Sequence, residues 1–295
     1  MKGLSTIKKD LEFNRELSSL IEVLKNIAVT QFRILEQRLK SFEKLILTIE
    51  DFFGFINTAK VEHPFLRPQN RPQGIVAITS DSGLLGGLNL KVINQALLEL
   101  EKIPGKLIVI GECGKNYLRE TNLSFVAFGG ISDEERYAQA MQLRDYCVSR
   151  VLKGSFGFLK VVYPHPVSFT VQRVETVSFL PFTPLEKTTN RERSSPTGFI
   201  PTKKPKESIP DLILESSLSD IVEYLVHIWM GQKFYEIFGL SRLSEFAARF
   251  VHLEESSEKL KDVEKNLRLQ YFRVRHELID RNMRELFSAR LLDAG

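Results

Sequence analysis

Two long segments without glycine or proline, one near each end of the chain, limit most strongly what this sequence can fold into. They run from Leu4 to Phe53 and from Leu240 to Ala294. Glycine and proline are the residues that most often weaken or break a helix, so each segment can form one continuous helix. At a rise of 1.5 Å per residue, the first helix is predicted to be about 75 Å long. Helices in globular domains average about three turns, so packing within such a domain does not account for this length.

Both segments carry apolar residues at steps of three, four and occasionally five, the spacing of one helical face. The N-terminal stripe consists of Leu17, Leu20, Leu24, Ile27, Phe32, Leu35, Leu39, Phe42, Leu45, Ile49 and Phe52. The C-terminal stripe consists of Leu243, Ala247, Phe250, Leu253, Leu260, Val263, Leu267, Val274, Leu278, Met283, Leu286 and Leu291. Packing the two stripes against each other buries both, so we predict a long antiparallel coiled coil. The alternative is that each helix folds back separately on the middle of the chain.

The middle of the chain, from about Gly74 to Leu185, has a different pattern, in which short apolar runs alternate with helical ones. The pattern predicts strands at residues 74–78, 106–110, 123–128, 156–163 and 171–182, and helices at 90–102, around 115–120 and at 133–153. Strands that alternate with helices form a mostly parallel sheet covered on both faces. The last two strands, joined through PHPVSFT, predict an antiparallel hairpin at one edge of the sheet.

The stretch ITSDSGLLGGLN at residues 78–89 places three glycines between a predicted strand and a predicted helix, where many enzymes bind phosphate. Gly83, Gly86 and Gly87 form a G-x-x-G-G pattern, which matches neither the dinucleotide fingerprint nor the Walker A loop. A second candidate, GECGKN at residues 111–116, has its first glycine too close and Asn in place of the magnesium-binding Ser or Thr. We therefore expect no nucleotide cofactor, and we attribute the glycines to a tight chain reversal and close helix packing.

Composition argues against several other classes of site. The 41 basic and 37 acidic residues nearly cancel and are interspersed, so no nucleic-acid partner is predicted. Cys113 and Cys147 are too few for a disulfide framework or a thiolate metal site, and the five histidines stand apart with no H-E-x-x-H motif. We expect no metal, no catalytic residue and no direct small-molecule substrate. No run of 18 apolar residues occurs, and the N-terminus lacks the apolar core of a signal peptide.

Three stretches of the sequence resemble the gamma subunit family of F-type ATP synthases. The glycine turn is similar to TSDRGLCGGxN, with Ser82 in place of the usual Arg and Leu85 in place of Cys. The stretch LSTIKKDL … LKNIAVTQFR is similar to LKEIRKRI … MKMVAASKLR without a gap. Near the C-terminus, SEFAARFVHL resembles SEHAARMVAM, and YFRVRHELIDRNMRELFSA resembles YNKARQASITQELTEIVSG. The resemblance covers nearly the whole chain, and its spacing is preserved along the last helix.

This resemblance implies a fold of the α+α/β class, in which a long antiparallel two-helix coiled coil carries an inserted Rossmann-like α/β domain. We assign residues 1–60 to the N-terminal coiled-coil helix and residues 61–186 to the α/β domain, which acts as a foot. Residues 187–209 are a polar linker, and residues 210–295 form the C-terminal coiled-coil helix. The positive charge of the linker is interpreted as solvation, with a contact to an acidic partner as the alternative.

In that family the coiled coil lies inside the ring of catalytic alpha and beta subunits, and the foot contacts the epsilon subunit and the membrane c-ring. The resemblance therefore implies a non-catalytic central rotor shaft, one copy per complex, without a cofactor. Its role would be to couple ion-driven c-ring rotation to ATP synthesis or hydrolysis. The expected ion is the proton, with sodium as the alternative. The expected location is peripheral, at the cytoplasmic face of the bacterial inner membrane.

The resemblance also predicts which residues contact the partners. Charged residues on both terminal helices are expected to face acidic loops of the catalytic ring, and the apolar end of the chain is expected to lie in a bearing at the top of the ring. The predicted ring-facing residues are Lys25, Arg33, Arg273, Arg275, His276, Leu291 and Leu292.

Two other classes of function are left open. A nucleotide-binding α/β enzyme with coiled-coil arms predicts saturable nucleotide binding by the domain at residues 74–185. A coiled-coil adaptor unrelated to ATPases predicts self-association and no capture of alpha and beta subunits.

Overall fold

The computed structural model of the chain describes residues 3–39, 63–66, 71–121, 123–181 and 217–293, with side chains of the last helix up to residue 288. Within these residues the chain forms five helices and five strands. In chain order they are α1 (Leu4–Leu39), β1 (Gln73–Ile78), α2 (Leu88–Lys102), β2 (Gly105–Ile110), α3 (Glu112–Arg119), β3 (Phe125–Phe128), α4 (Arg136–Leu152), β4 (Phe158–Pro166), β5 (Gln172–Leu180) and α5 (Leu218–Asp293).

The chain divides into two compact units. One, the coiled-coil unit, consists of Met1–Arg33, Leu84–Gly86 and Phe246–Gly295. The other, the α/β unit, consists of Ile34–Gly83 and Gly87–Glu245. Helix α5 is 76 residues long and contributes to both. The predicted domain boundaries at residues 60, 186 and 209 lie outside the described residues.

The α/β unit is built on a five-stranded sheet of order β3-β2-β1-β4-β5. The first four strands are parallel, and β5 pairs antiparallel with β4 at one edge. The predicted parallel sheet with a terminal hairpin is therefore confirmed. The described strands and helices fall on the predicted stretches with shifts at their ends, as expected when boundaries are inferred from local pattern.

Both faces of this sheet are covered, because alternate residues of each strand point to opposite sides. On one face, Ile75, Ala77 and Val109 pack with residues of α2 and α3. On the other face, Val76 and Ile108 pack with residues of α4 and α5. The buried residues that α5 contributes to this second core are Val222, Val226, Trp229, Met230, Phe234, Ile237 and Phe238.

Helix α5 begins at Leu218, within the stretch 210–295 assigned to it from the sequence, and it contains Gly231 and Gly239. Each glycine in a helix interior costs about 1 kcal/mol relative to alanine. Burial of the α5 apolar face outweighs this cost. At Gly231 the lack of a side chain also permits close packing, since a Cβ atom there would lie 2.8 Å from the Met141 Cε atom of α4.

In the coiled-coil unit, α1 and α5 run antiparallel and pack along a seam with a seven-residue repeat. On α1 the buried seam residues are Ile7, Leu11, Asn14, Ile21 and Ala28. On α5 the buried or partly buried residues that continue the seam from 253 onward are Leu253, Ser257, Leu260, Glu264, Leu267, Tyr271 and Val274. Steps of four and three, or of seven, keep both sets facing each other, as in left-handed coiled coils. The predicted coiled coil is confirmed for the described residues.

The N-terminal stripe predicted from the sequence is wrong in its first half. Leu20 and Ile27 are 55% and 46% exposed, and the neighbouring residues Ile21 and Ala28 lie in the seam instead. Helix α1 thus carries two adjacent apolar stripes. The buried one is interrupted by Asn14, so apolar periodicity alone favoured the other. The part of the predicted stripe beyond Leu39 lies outside the described residues.

Candidate interaction surface of the terminal helices

Polar side chains connect the two helices of the coiled-coil unit. The amide of Asn14 donates a hydrogen bond from Nδ2 to the carbonyl oxygen of Leu260 at 3.2 Å. One turn further out, Arg15 Nε lies 3.2 Å from Glu264 Oε1, and Arg268 Nη2 donates to the same oxygen at 2.8 Å. A buried Asn in a coiled-coil seam fixes the register of the two helices. These contacts therefore hold α1 at one position along α5.

Lys25, one of the predicted ring-facing residues, lies between the helices. Its ammonium group pairs with Glu254 of α5 and with Glu22 at 3.0 Å, and it lies 5.9 Å from the centre of the Phe250 ring. Its side chain is 12% exposed. The hydrogen bond that the ammonium group donates to Glu254 raises the pKa of Lys25, which keeps the ammonium charged. The structure thus gives Lys25 partners within its own chain, and its contact with a ring stays a prediction.

The other predicted charged residues lie on the surface. Arg33 is exposed on α1, and Arg273, Arg275 and His276 are exposed on α5. Arg273, Arg275 and His276 lie next to Val274, the last residue of the seam, so they lie where α5 stops packing against α1. Leu291 and Leu292 belong to α5, but their side chains lie outside the described residues.

The coiled-coil unit carries two sets of exposed apolar residues, and only the end of the second set, Leu286 and Phe287, belongs to the apolar end that the resemblance places in a bearing. Phe13, Leu20 and Ile27 recur every seven residues on α1, and all three are exposed. Near the end of α5, the exposed apolar residues are Leu278, Ile279, Met283, Leu286 and Phe287. Contiguous exposed apolar residues of this kind mark interaction surfaces. Leu20, Ile27, Leu278, Met283 and Leu286 belong to the stripes that the sequence analysis predicted to be buried, whereas Phe13, Ile279 and Phe287 belong to neither stripe.

Two side chains of the glycine stretch at residues 78–89 cap the N-terminus of helix α3. Asp81 Oδ1 accepts a hydrogen bond from the Glu112 amide at 2.8 Å, and Thr79 Oγ1 accepts one from the Gly114 amide at 3.0 Å. These amides form the N-terminus of α3, the position at which a phosphate held by the stretch GECGKN would lie. The turn itself needs glycine at Gly87, whose φ is 83°. The geometry supports a structural role for this turn.

Other kinds of site also find no support in the described residues. In the part of the chain that the structure describes, no group of three His, Cys, Asp or Glu side chains could hold a metal ion. Burial raises the pKa of the Cys147 thiol and of the Cys113 thiol, which makes both poor nucleophiles. Among the described helices, none has a stretch long and apolar enough to cross a membrane.

Taken together, the described residues form a coiled coil of the two terminal helices and an α/β unit built on a five-stranded, mostly parallel sheet. The chain belongs to the ATP synthase family, whose model matches residues 3–290. It is 23% identical over 295 residues to the ATP synthase gamma chain of Desulforudis audaxviator, covering 97% of both chains.

Solved structures show the same fold. The chain matches a rotor chain of the Euglena gracilis mitochondrial ATP synthase with a TM-score of 0.66 and 18% identity, covering 94% of this chain and 98% of that one. A second match, in the OSCP/F1/c-ring part of the same assembly, has a TM-score of 0.69 and 17% identity and covers 98% of this chain and 93% of that one.

Proposed function

We propose that this chain is the gamma subunit of an F-type ATP synthase and acts as its central rotor shaft. Rotation of the membrane c-ring turns the α/β unit, and the coiled coil turns with it inside the ring of alpha and beta subunits. The chain contributes no catalytic group. As the asymmetric coiled coil turns, it presents a different face to each beta subunit and drives the beta subunits in sequence through open and closed states.

The continuity of helix α5 is the observation that carries this proposal. Up to Glu245 the helix is part of the α/β unit, and from Phe246 it belongs to the coiled-coil unit. A helix is hydrogen-bonded along its whole length, so a rotation applied at one end is transmitted to the other. The seam between α1 and α5 adds stiffness to the part that would turn inside the ring.

The exposed charged residues supply the contacts that we propose with the ring. Arg33, Arg273, Arg275 and His276 would meet acidic loops of the alpha and beta subunits. The planar fork of arginine suits carboxylates, and exposed pairs are weak enough to form and break at each step. Lys25 would have to leave Glu254 to make such a contact. Leu291, Leu292 and the exposed apolar residues at 278–287 would lie in the bearing of the ring.

We infer that the α/β unit contacts the epsilon subunit and the c-ring, with one copy of the chain per complex. The complex would place the chain peripherally at the cytoplasmic face of a bacterial inner membrane. We propose the proton as the coupling ion, with sodium as the second possibility, since ion selectivity belongs to the membrane ring.

Reconstitution with alpha and beta subunits tests this proposal. The full chain is expected to form a stable complex with an alpha-beta ring and to raise its ATPase activity. A variant with Leu286→Ser and Phe287→Ser serves as a control for the apolar bearing contact and is expected to bind more weakly. Failure of the wild-type chain to bind the ring would contradict the proposal, as would saturable nucleotide binding by the chain alone.

A further inference from the structure

A charged cluster within the α/β unit joins three separate parts of the chain around Arg242 of α5. The guanidinium group donates from Nε and Nη2 to the two carboxylate oxygens of Asp133, at 3.3 and 3.2 Å. It donates from Nη1 to Glu245 Oε2 at 2.6 Å. The other oxygen of Glu245 accepts a hydrogen bond from Ser82 Oγ at 3.3 Å. The cluster thus links the segment before α4, helix α5 and the glycine turn.

Arg242 and Glu245 are largely removed from water, whereas Asp133 is 42% exposed. The side chain of Glu245 is buried and that of Arg242 is 19% exposed. A carboxylate removed from water is costly unless a cation and hydrogen bonds compensate it. Arg242 provides the cation, and its second edge forms a two-bond contact with Asp133. A contact of two parallel hydrogen bonds fixes orientation as well as distance.

The position of the cluster along α5 gives it a mechanical role. Glu245 is the last residue of α5 in the α/β unit, and the helix continues from there into the coiled-coil unit. The apolar side chains of α5 hold the helix against the sheet, but apolar contacts are not directional. Their close packing resists both separation and rotation of the helix, and a directional contact adds to the resistance against rotation. The two-bond contact of Arg242 with Asp133 resists that rotation.

We propose that Arg242 is a positioning residue for rotary coupling, because it locks the angle of α5 relative to the α/β unit through Asp133, Glu245 and Ser82. The inference rests on the proposed function of the chain as a rotor shaft. Without the lock, part of each c-ring rotation is lost as slippage of α5 before it reaches the coiled coil.

The test uses the complete ATP synthase complex assembled with Arg242→Met, which removes the charge but keeps the apolar length of the side chain. Lys233→Met is the matched control. Lys233 also lies on α5 and is 23% exposed, and it pairs with Glu236 of the same helix at 2.7 Å. The measured quantity is the number of ions pumped per ATP hydrolysed. Arg242→Met is expected to lower this ratio about fivefold, within the range by which linking residues change coupling. Lys233→Met is expected to leave it unchanged.

A rescue variant separates positioning from simple loss of folding. Ser82 is exposed and its hydroxyl lies next to Glu245. An arginine at position 82 therefore has room to reach this carboxylate from the glycine turn. The double variant Ser82→Arg with Arg242→Met is expected to recover more than half of the coupling lost in Arg242→Met. The thermal unfolding midpoint of each purified complex is measured alongside, so that a loss of coupling without unfolding is recognised.

Two results would overturn the inference while leaving the proposed function intact. In the first, the wild-type complex couples normally, and the Arg242→Met complex pumps the same number of ions per ATP hydrolysed as the wild type. The other is a lowered ratio that follows the loss of folded complex and is not restored by the arginine at position 82. A wild-type chain that fails to couple hydrolysis to pumping would instead overturn the proposed function.

Discussion

Glu99 of α2 shows how a nearly buried carboxylate is stabilised in this chain. Lys102 and Lys160 each place an ammonium nitrogen 2.6 Å from one of its oxygens. The hydrogen bond from Lys102, followed by the one from Lys160, lowers the pKa of Glu99 below its ordinary value of 4.5. Lys160 lies on strand β4, between β1 and β5, so the pair also links α2 to the sheet. The charged form of Glu99 therefore stabilises the folded α/β unit.

This arrangement predicts a pH-dependent effect of Glu99→Gln. Because the folded pKa is lowered, the stabilisation is fully present above pH 4.5 and is lost as the pH falls through the folded pKa. At pH 7 the variant is expected to lose about 1.5 kcal/mol of unfolding free energy, the typical net value of a hydrogen bond to a charged group. Urea unfolding of the wild type and the variant at pH 7 and in acid measures the difference. An equal loss at both pH values would contradict this explanation.

At the scale of single elements, α1 presents two adjacent apolar stripes, and only one of them lies in the seam. Ile21 is 8% exposed, whereas the neighbouring Leu20 is 55% exposed. The two residues have side chains of the same volume and occupy the same helical turn. A difference in unfolding free energy between substitutions at the two positions therefore reports the contribution of packing in the seam.

Alanine substitutions at these two positions test the assignment of the seam. Ile21→Ala is expected to lower the unfolding free energy by about 2 kcal/mol or more, since it removes buried methyl groups and leaves a cavity. Leu20→Ala, the matched control, is expected to change it by less than about 0.5 kcal/mol in the purified chain. Urea unfolding followed by circular dichroism measures both. If Leu20→Ala is the more damaging substitution, the stripe first predicted from the sequence is the buried one.

The elements themselves were largely predictable from the sequence, because their signals are local. The apolar runs of β1 and β2 and the seven-residue repeat from Leu253 to Val274 stand out within short windows. The buried stripe of α1 did not stand out, since Asn14 and Ala28 weaken its apolar signal. Gly231 lies inside α5 although glycine disfavours helices, because tertiary burial overrides local propensity. The pairing of Arg242 with Asp133 spans 109 residues, so no local pattern reveals it.

At the scale of the whole molecule, the proposed function requires that exposed residues near the end of α5 contact the catalytic ring, and Arg275 is the residue chosen to test this. Arg275→Ala is expected to reduce the torque of ATP-driven rotation and the rate of ATP synthesis by about threefold, since exposed ion pairs contribute up to about 1 kcal/mol each. Arg281→Ala is the control, because Arg281 is paired with Glu285 of its own helix at 3.0 Å. Single-molecule rotation and proteoliposome synthesis assays measure the two effects. Unchanged torque and synthesis in Arg275→Ala would remove this residue from the coupling surface.

Direct observation of rotation tests the central claim, namely that the chain acts as a shaft. A probe attached to the α/β unit of the full chain, in a complex with an immobilised alpha-beta ring, reports its angle while ATP is hydrolysed. The account predicts stepwise rotation in one direction that stops when the coiled coil is cross-linked to the ring. Hydrolysis at full rate with a stationary probe would contradict it.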